Sequence, residues 1–275
     1  MIRVGTLCLS LAMGLLSLQA CEKGLPSDIV ESEGALALQE SEKKLDHVVR
    51  CAPSAANFPS SLTSTNPYFP IIVGYQWTLE GEEDDVPVKA LMTVLDETRL
   101  IDGVTTRVVE EREWEDEELS EISWNYFAEA ADGTVCYFGE DVDDIEEGEV
   151  FDHEGRWCAQ DDPDVNKAGI IMPADPQPGM TFQNEFAPDE GALDQAKIVG
   201  SGPVTVPYNG FTTFTETIRF REFNPDEKEK DYKVFASDLV TGFGGIIVDE
   251  VLALTDFTQN AVDPGDPISE QVCGS

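Results

Sequence analysis

The pattern of apolar and polar residues after about residue 66 is that of β-strands, since no long stretch there has the period of a helix. Apolar positions recur at every second residue in runs bounded by turn residues. Three Asx-Gly pairs each separate two such runs, and both central residues of a type I′ turn need the positive φ that Asx and Gly tolerate. The pairs are Asp102-Gly103 between Val88–Leu100 and Val104–Trp114, Asp132-Gly133 between Ile122–Ala130 and Thr134–Phe138, and Asn209-Gly210 between Ala196–Pro207 and Phe211–Phe223. The sequence therefore predicts three β-hairpins.

The third hairpin has the clearest alternation. Phe214, Ile218 and Phe220 fall on one face and the Thr and Arg residues between them on the other, which predicts one buried and one solvated face. A more continuously apolar run, Ile246–Leu254, predicts a final strand near the centre of the sheet. We therefore expect a mainly β fold: a single curved antiparallel β domain over residues 66–258, meander-like, with long irregular loops.

One segment inside this domain lacks the strand pattern. Asp161–Glu190 contains five prolines and predicts a long ordered loop that crosses the sheet. Long loops in compact domains are often functional, so this segment is a candidate for binding.

The N-terminus has the composition of a secretory signal. Arg3 supplies a positive charge, Val4–Leu18 is uncharged and rich in Leu, and small Ala20 precedes a cysteine. Leu18-Gln19-Ala20-Cys21 resembles the lipobox of bacterial lipoproteins, although Gln19 departs from the usual small or aliphatic residue. The resemblance implies a signal peptide over residues 1–20 and lipid attached to Cys21, with the protein held on a membrane of the bacterial cell envelope. Two or more acyl chains suffice for stable anchoring.

The segments on either side of the domain are polar and small. Residues 21–65 predict a tether with one short helix around Gly34–Arg50, which would lift the domain off the lipid surface. Residues 259–275 predict an irregular C-terminal tail that contains Pro264, Gly265 and Pro267.

The charge of the chain restricts its partners. The sequence has 17 Lys and Arg against 55 Asp and Glu, a net charge of −38. Nucleic acid and anionic lipid headgroups would be repelled. The charge is compatible with a divalent cation, a basic protein partner or adaptation to high salt, and it also serves plain solubility.

The cysteines fit an oxidising compartment. Cys8 would leave with the signal and Cys21 would be lipidated, which leaves Cys51, Cys136, Cys158 and Cys273. Four cysteines allow three connectivities. We favour Cys136–Cys158, which are near in sequence, together with Cys51–Cys273 across the two ends of the domain. No CxxC or CxH spacing supports the alternative of a zinc or copper site.

A set of short motifs extends from Asn66 to about Leu254. They are Asn66-Pro67-Tyr68-Phe69-Pro70 with Gly74 and Trp77, Asp132-Gly133 with Tyr137-Phe138-Gly139-Glu140-Asp141, and Gly169-Ile170-Ile171-Met172-Pro173-Ala174 with Pro178-Gly179 and Glu185. The chain resembles, in these motifs, a group of secreted bacterial proteins of uncharacterised function. It departs from the group at Cys136, where an aromatic residue is expected, and over Phe235–Gly245. The resemblance implies one domain and a secreted setting, and it implies no activity.

Calcium is the most specific chemical hypothesis. Asp162, Asp164 and Asn166 place oxygen ligands at alternate positions, as an EF-hand loop begins. Lys167 stands where such a loop requires glycine, and no closing glutamate follows. The acidic run from Glu140 to Glu147 is a more diffuse calcium candidate, and a solvated acidic loop is the alternative for both segments.

Other chemistry has little support. Trp77, Trp124, Tyr126, Tyr137 and Trp157 fit a ligand pocket or, more commonly, a plain core. No nucleophile, base and acid constellation appears, so we assign no catalytic residue and no cofactor beyond calcium. We expect a membrane-anchored binding or scaffold lipoprotein without catalysis, and the alternative is a carboxylate-dependent hydrolase of an extracellular polymer. Acids that converge in a cleft would favour the hydrolase, and acids scattered outward the scaffold.

Overall fold

The computed structural model describes residues 50–51, 57–59, 61–225, 230–237, 244–262 and 273–274. The expected signal peptide, the lipid attachment at Cys21, all but the last residue of the expected helix over 34–50 and most of the expected tail lie outside the described residues. Within those ranges, no helix combines the length and the apolar character needed to cross a membrane.

The described residues form an antiparallel sheet of fourteen strands and a separate pair of two strands, so the expected single mainly β domain is confirmed. The strands are β1 (Gln76–Glu83), β2 (Val86–Ile101), β3 (Val104–Glu115), β4 (Glu118–Glu129), β5 (Val135–Glu146), β6 (Glu149–Asp152), β7 (Trp157–Cys158), β8 (Gly169–Met172), β9 (Thr181–Gln183), β10 (Gln195–Ser201), β11 (Val204–Val206), β12 (Thr212–Phe214), β13 (Thr217–Phe223), β14 (Asp231–Ala236), β15 (Gly245–Asp249) and β16 (Leu252–Thr258).

The sheet consists of two meanders that join at its middle. Strands β1 to β6 follow one another outward on one side, and β16, β15, β14, β13, β10 and β9 follow on the other, with β1 paired to β16. Strands β7 and β8 add to the outer part of β5, and β11 pairs with β12 in the small second sheet. The sheet is open, and its two edge strands β6 and β9 are short, which limits pairing with other chains.

The three predicted hairpin turns are present, in two different geometries. At Asp102-Gly103 and Asn209-Gly210 both residues have positive φ, as a type I′ turn requires. At Asp132-Gly133 only the glycine has positive φ, and the Asp132 carboxylate instead accepts a hydrogen bond from the Thr134 N–H at 2.9 Å. The runs around Asn209-Gly210 are each divided, so that β11 and β12 form the hairpin while β10 and β13 pair in the main sheet.

The expectation of one final strand over Ile246–Leu254 is wrong. The segment is a hairpin of β15 and β16, because Glu250 takes a left-handed conformation with φ 49° and turns the chain. Both strands lie near the centre of the sheet order, as we expected for the single strand. The predicted loop over Asp161–Glu190 is largely irregular but includes β8, β9 and a 3₁₀ turn at Pro188–Glu190.

A buried carboxylate fixes the entry of the chain into the domain. Glu129 accepts hydrogen bonds from the N–H groups of Thr65 and Asn66, at 2.6 and 2.8 Å. The Asn66 amide donates in turn to the carbonyls of Gly133 and Pro173. Asn66, Gly133 and Pro173 come from three of the sequence motifs described above, so these motifs have a shared structural role at one corner of the domain.

All four cysteines predicted in disulfides are bonded, but the favoured pairing is wrong. The bonds are Cys51–Cys136 and Cys158–Cys273. Cys158 lies opposite Gly139 on β5, three residues along from Cys136, which is about 10 Å at the rise of a strand. A disulfide needs Cα atoms within about 7 Å, so proximity in sequence does not bring these two together. Both bonds indicate an extracytoplasmic location.

Peptide mapping under non-reducing conditions tests this pairing. We expect proteolysis of the unreduced protein to yield peptides that join Cys51 to Cys136 and Cys158 to Cys273, with no alkylated thiol among the four. A peptide that joins Cys136 to Cys158, as sequence proximity suggested, would contradict the fold around β5.

Candidate functional site

A cavity with a volume of about 160 Å³ lies between the two meanders. Its lining comes from β3, β4 and β5 on one side and from β13, β14 and β15 on the other, together with the segment between β9 and β10. Glu111 on β3 lines the same cavity as Lys233 and Asp249, and Asp249 raises the pKa of Glu111, although three strands separate β3 from β15 in the sheet order. The curvature of the sheet therefore encloses the cavity.

The lining contains ten carboxyl groups and, among the described residues, a single cation, Lys233. We call this part of the cavity the acidic end. Its carboxyl groups belong to Glu111, Glu113, Glu121, Glu140, Glu185, Asp194, Glu222, Asp231, Asp249 and Glu250. The acids therefore converge on one space instead of pointing only to solvent.

Strand register explains this convergence. Alternate residues of a strand share a face, so Glu113, Glu111 and Val109 follow one another along the inner face of β3. Glu113 lies directly opposite Glu121 of β4, and like charges in that position repel. The same register on the other side places Asp231 opposite Glu222.

Apolar residues form the other end of the cavity. We call Phe69, Met92, Phe127, Phe235 and Ile246 the apolar end. Phe69 packs edge-on against Phe127 at 5.0 Å between ring centroids and tilts against Phe235 at 6.1 Å. A smaller apolar space of about 10 Å³ adjoins this end and shares Phe69, Met92 and Ile246 with it.

Lys233 forms two ion pairs at the acidic end. Its Nζ lies 3.2 Å from Glu222 Oε2 and 3.5 Å from Asp249 Oδ2, the residue directly opposite on β15. Burial acts to lower the pKa of Lys233, but the carboxylates of Asp249, Glu222 and Glu111 outweigh it and hold the pKa well above its ordinary value. The lysine is therefore a charged ammonium inside the cavity.

Burial and mutual repulsion raise the pKa of several carboxyl groups here. Burial raises the pKa of Glu140 to about 8. A hydrogen bond from Tyr137 lowers this pKa, and the charges of Glu111 and Asp194 raise it further. Burial, then the charge of Asp249, raises the pKa of Glu111 to about 7. The pKa of Glu113 and that of Glu185 are raised well above their ordinary value, in both cases first by burial. The acidic end therefore holds protons near neutral pH.

Asn184 contributes a buried amide to the same wall. A Cβ at Gly169 would lie 1.6 Å from the Asn184 carbonyl oxygen, so only glycine lets this segment approach β8. The Asn184 side chain is 4% exposed, and its Nδ2 donates to Glu222 Oε1 at 2.7 Å. Its Oδ1 accepts no hydrogen bond from the described part of the chain, which leaves a buried acceptor at the cavity.

The residues of the calcium hypothesis lie elsewhere. Asp162 and Asp164 are exposed in a turn in which the Asp164 N–H donates to Asp162 Oδ1 at 3.3 Å. Asn166 is buried and donates its amide to the Cys158 carbonyl at 3.0 Å. In the described ranges, no group of three His, Cys, Asp or Glu side chains is arranged to hold a metal ion. Calcium binding by these three residues stays a prediction.

The acidic run from Glu140 to Glu147 is not the solvated loop that we considered. Most of it belongs to β5, where Glu140, Asp141, Asp143 and Asp144 are buried. Asp141 accepts hydrogen bonds from the Tyr126 hydroxyl and the Cys273 N–H and forms an ion pair with Arg156, so its carboxylate is bound within the fold. Of this run, only Glu140 lines the cavity.

The five large aromatics considered for a pocket are all buried, as a core requires. Tyr137 alone among them lines the cavity, and Trp77 lines the adjoining apolar space. The sequence analysis missed the residues of the acidic end, apart from Glu140. The run from Glu110 to Glu115 has polar residues on both faces of the strand, so no alternation marks the face that lines the cavity. One sequence signal was available: Asp231 and Lys233 alternate with Phe235 along one strand, so they share a face with a large apolar residue.

Comparison with known proteins gives no relative for this arrangement: no family model, curated protein or solved structure matches the chain.

Proposed function

We propose that the chain is a lipid-anchored extracytoplasmic binding protein that takes a small cation in its acidic cavity, without catalysis. The observation that carries the proposal is the imbalance of charge, because the described lining of the cavity has ten carboxyl groups and a single ammonium. A cation that enters gains charge-assisted hydrogen bonds and relieves repulsion among the carboxylates. The strongly negative chain also attracts cations from solution.

The anchoring part of the proposal rests on the N-terminal sequence. Leu18-Gln19-Ala20-Cys21 supplies the cysteine, and the disulfides fit the same side of the membrane. We expect Cys21→Ser to remove the lipid and move the protein from the membrane fraction to the soluble extracytoplasmic fraction. Retention of the variant in the membrane fraction, as tightly as the parent, would contradict anchoring through Cys21.

Isothermal titration with butylammonium chloride at pH 8.5 tests the binding part of the proposal. At this pH Glu111 is ionised and the ligand is charged. We expect Glu111→Gln to weaken binding about tenfold, because it removes a charge-assisted contact of about 1.5 kcal/mol. The matched control Glu149→Gln, on the exposed edge strand β6, makes the same change of charge outside the cavity and leaves the affinity within twofold. Equal loss in both variants would show that only the overall charge attracts the ligand.

A carboxylate-dependent hydrolase is the second candidate, and one observation favours it. The pKa of Glu140 is raised to about 8, so Glu140 holds a proton at neutral pH, whereas the pKa of Glu111 in the same cavity is about 7. Two carboxyl groups with separated pKa values are the arrangement of a general acid with a partner carboxylate. The limited volume of the cavity favours a small ligand over a polymer chain. Release of reducing ends from a soluble polysaccharide by the parent, abolished in Glu140→Gln, would favour the hydrolase and contradict the non-catalytic proposal.

A further inference from the structure

The cavity has two chemically distinct ends that lie along the same strands. On β14 the inner face runs from Asp231 through Lys233 to Phe235, and on β4 it runs from Glu121 through Ser123 and Asn125 to Phe127. An acid thus begins each inner face and an aromatic residue ends it. A ligand that fills the cavity from one end to the other must itself be charged at one end and apolar at the other.

The acidic end is suited to a primary ammonium group. Lys233 already holds one there, with its Nζ between Glu222 Oε2 and Asp249 Oδ2. Among the residues that the structure describes, none donates to Asn184 Oδ1, and Asn184 is 4% exposed, so this oxygen is a further buried acceptor. An ammonium group carries three donors and no acceptor, so it complements a wall of carboxylate and amide oxygens.

The apolar end is suited to a hydrocarbon or a ring. Phe69 packs there against both Phe127 and Phe235, and half-buried Met92 lines both this end and the adjoining apolar space. A hydrated inorganic ion has no apolar surface to bury here, whereas each CH₂ group of a ligand that is buried makes the free energy of binding more favourable. Aromatic faces also attract an adjacent organic cation.

We propose that the ligand is a primary alkylammonium or arylammonium, with its ammonium among the carboxylates of the acidic end and its apolar body against Phe69, Phe127 and Phe235. This inference rests on the proposed binding of a cation and adds the chemical class of that cation. Its distinguishing consequence is that affinity depends on both ends of one ligand molecule.

A titration series separates the contribution of each end. The parent is titrated at pH 8.5 with methylammonium, butylammonium and hexylammonium chloride, and with neutral hexanol. We expect hexylammonium to bind at least tenfold more tightly than methylammonium and at least tenfold more tightly than hexanol. Met92→Ser should reduce the ratio of the affinity for hexylammonium to the affinity for methylammonium. Glu111→Gln should instead lower the affinity for every ammonium ligand by a similar factor. Circular dichroism of both variants confirms that each keeps the fold.

The outcomes distinguish this inference from the proposed function. Equal affinity for methylammonium and hexylammonium, lost in Glu111→Gln, would leave cation binding standing and overturn the role of the apolar end. Equal affinity for hexanol and hexylammonium would overturn the role of the ammonium group. Absence of binding by every ammonium would overturn the proposed function and this inference together.

Discussion

The Lys233→Met variant is expected to lose about 3–5 kcal/mol of the free energy of unfolding at pH 8, the range for breaking a buried ion pair on one side only. Methionine preserves the length of the side chain but removes the ammonium that lies 3.2 Å from Glu222 and 3.5 Å from Asp249. The acidic end then has no cation from the described lining residues. Urea denaturation of parent and variant, with the disulfides intact, measures the difference.

The loss of stability in Lys233→Met should be smaller in mild acid. Removal of a lysine charge outside the cavity should not cause a comparable loss. At pH 5 Glu111, whose pKa is raised to about 7, is protonated, so fewer buried charges are left unpaired. Lys197→Met on β10 makes the same change outside the cavity, and we expect it to stay within about 0.5 kcal/mol of the parent. A Lys233→Met variant that unfolds at the same urea concentration as the parent at pH 8 would show that the lysine does not balance the acidic end.

The protein should become less stable as the pH rises from 5 to 9. Glu140 has a pKa of about 8 in the fold against an ordinary value of 4.5, so between these values the folded state binds the proton that the unfolded state has lost. Its contribution is fully present below pH 4.5, is lost as the pH rises through 8, and amounts to about 3–5 kcal/mol. Glu111 and Glu250, with a pKa of about 7 and about 8, act in the same direction.

Thermal unfolding across this pH range tests the expectation. Glu140→Gln keeps an acceptor in place but cannot ionise, so its melting temperature should vary less with pH than that of the parent. Glu149→Gln on the exposed strand β6 should keep the full pH dependence. About 0.2 M NaCl screens the general repulsion of the acidic surface, which also grows with pH. A melting temperature of the parent that is constant from pH 5 to 9 would contradict the raised pKa values.

The sequence predicted the antiparallel fold because its turn chemistry is local. Asp102-Gly103 and Asn209-Gly210 take the positive φ expected of such pairs. Two further turns were missed because Asp84-Asp85 and Asp116-Glu117 reach positive φ without any glycine. At those positions the pairing of the flanking strands imposes a positive φ that the residue types alone do not predict.

The site could not be predicted in the same way because it depends on curvature. Glu111 and Glu113 stand in a polar run, and a polar run ordinarily indicates a solvated face. They line the cavity only because the sheet brings β3 opposite β14 and β15, a long-range arrangement that no local pattern encodes. The disulfide pairing failed for a related reason, since the β5 register places Cys158 beside Gly139.

The two disulfides determine how the molecule would carry a mechanical load. Cys51–Cys136 spans the segment that contains β1 to β4, and Cys158–Cys273 spans the segment that contains β8 to β16. Tension applied between the two ends of the chain passes through each bond and does not stretch the strands between its cysteines. Between Cys51 and Cys273, only the segment from Cys136 to Cys158, which carries nearly all of β5, β6 and β7, can lengthen under such tension. A pull on the N-terminal side therefore leaves the β3 and β14 walls of the cavity outside the path of the force.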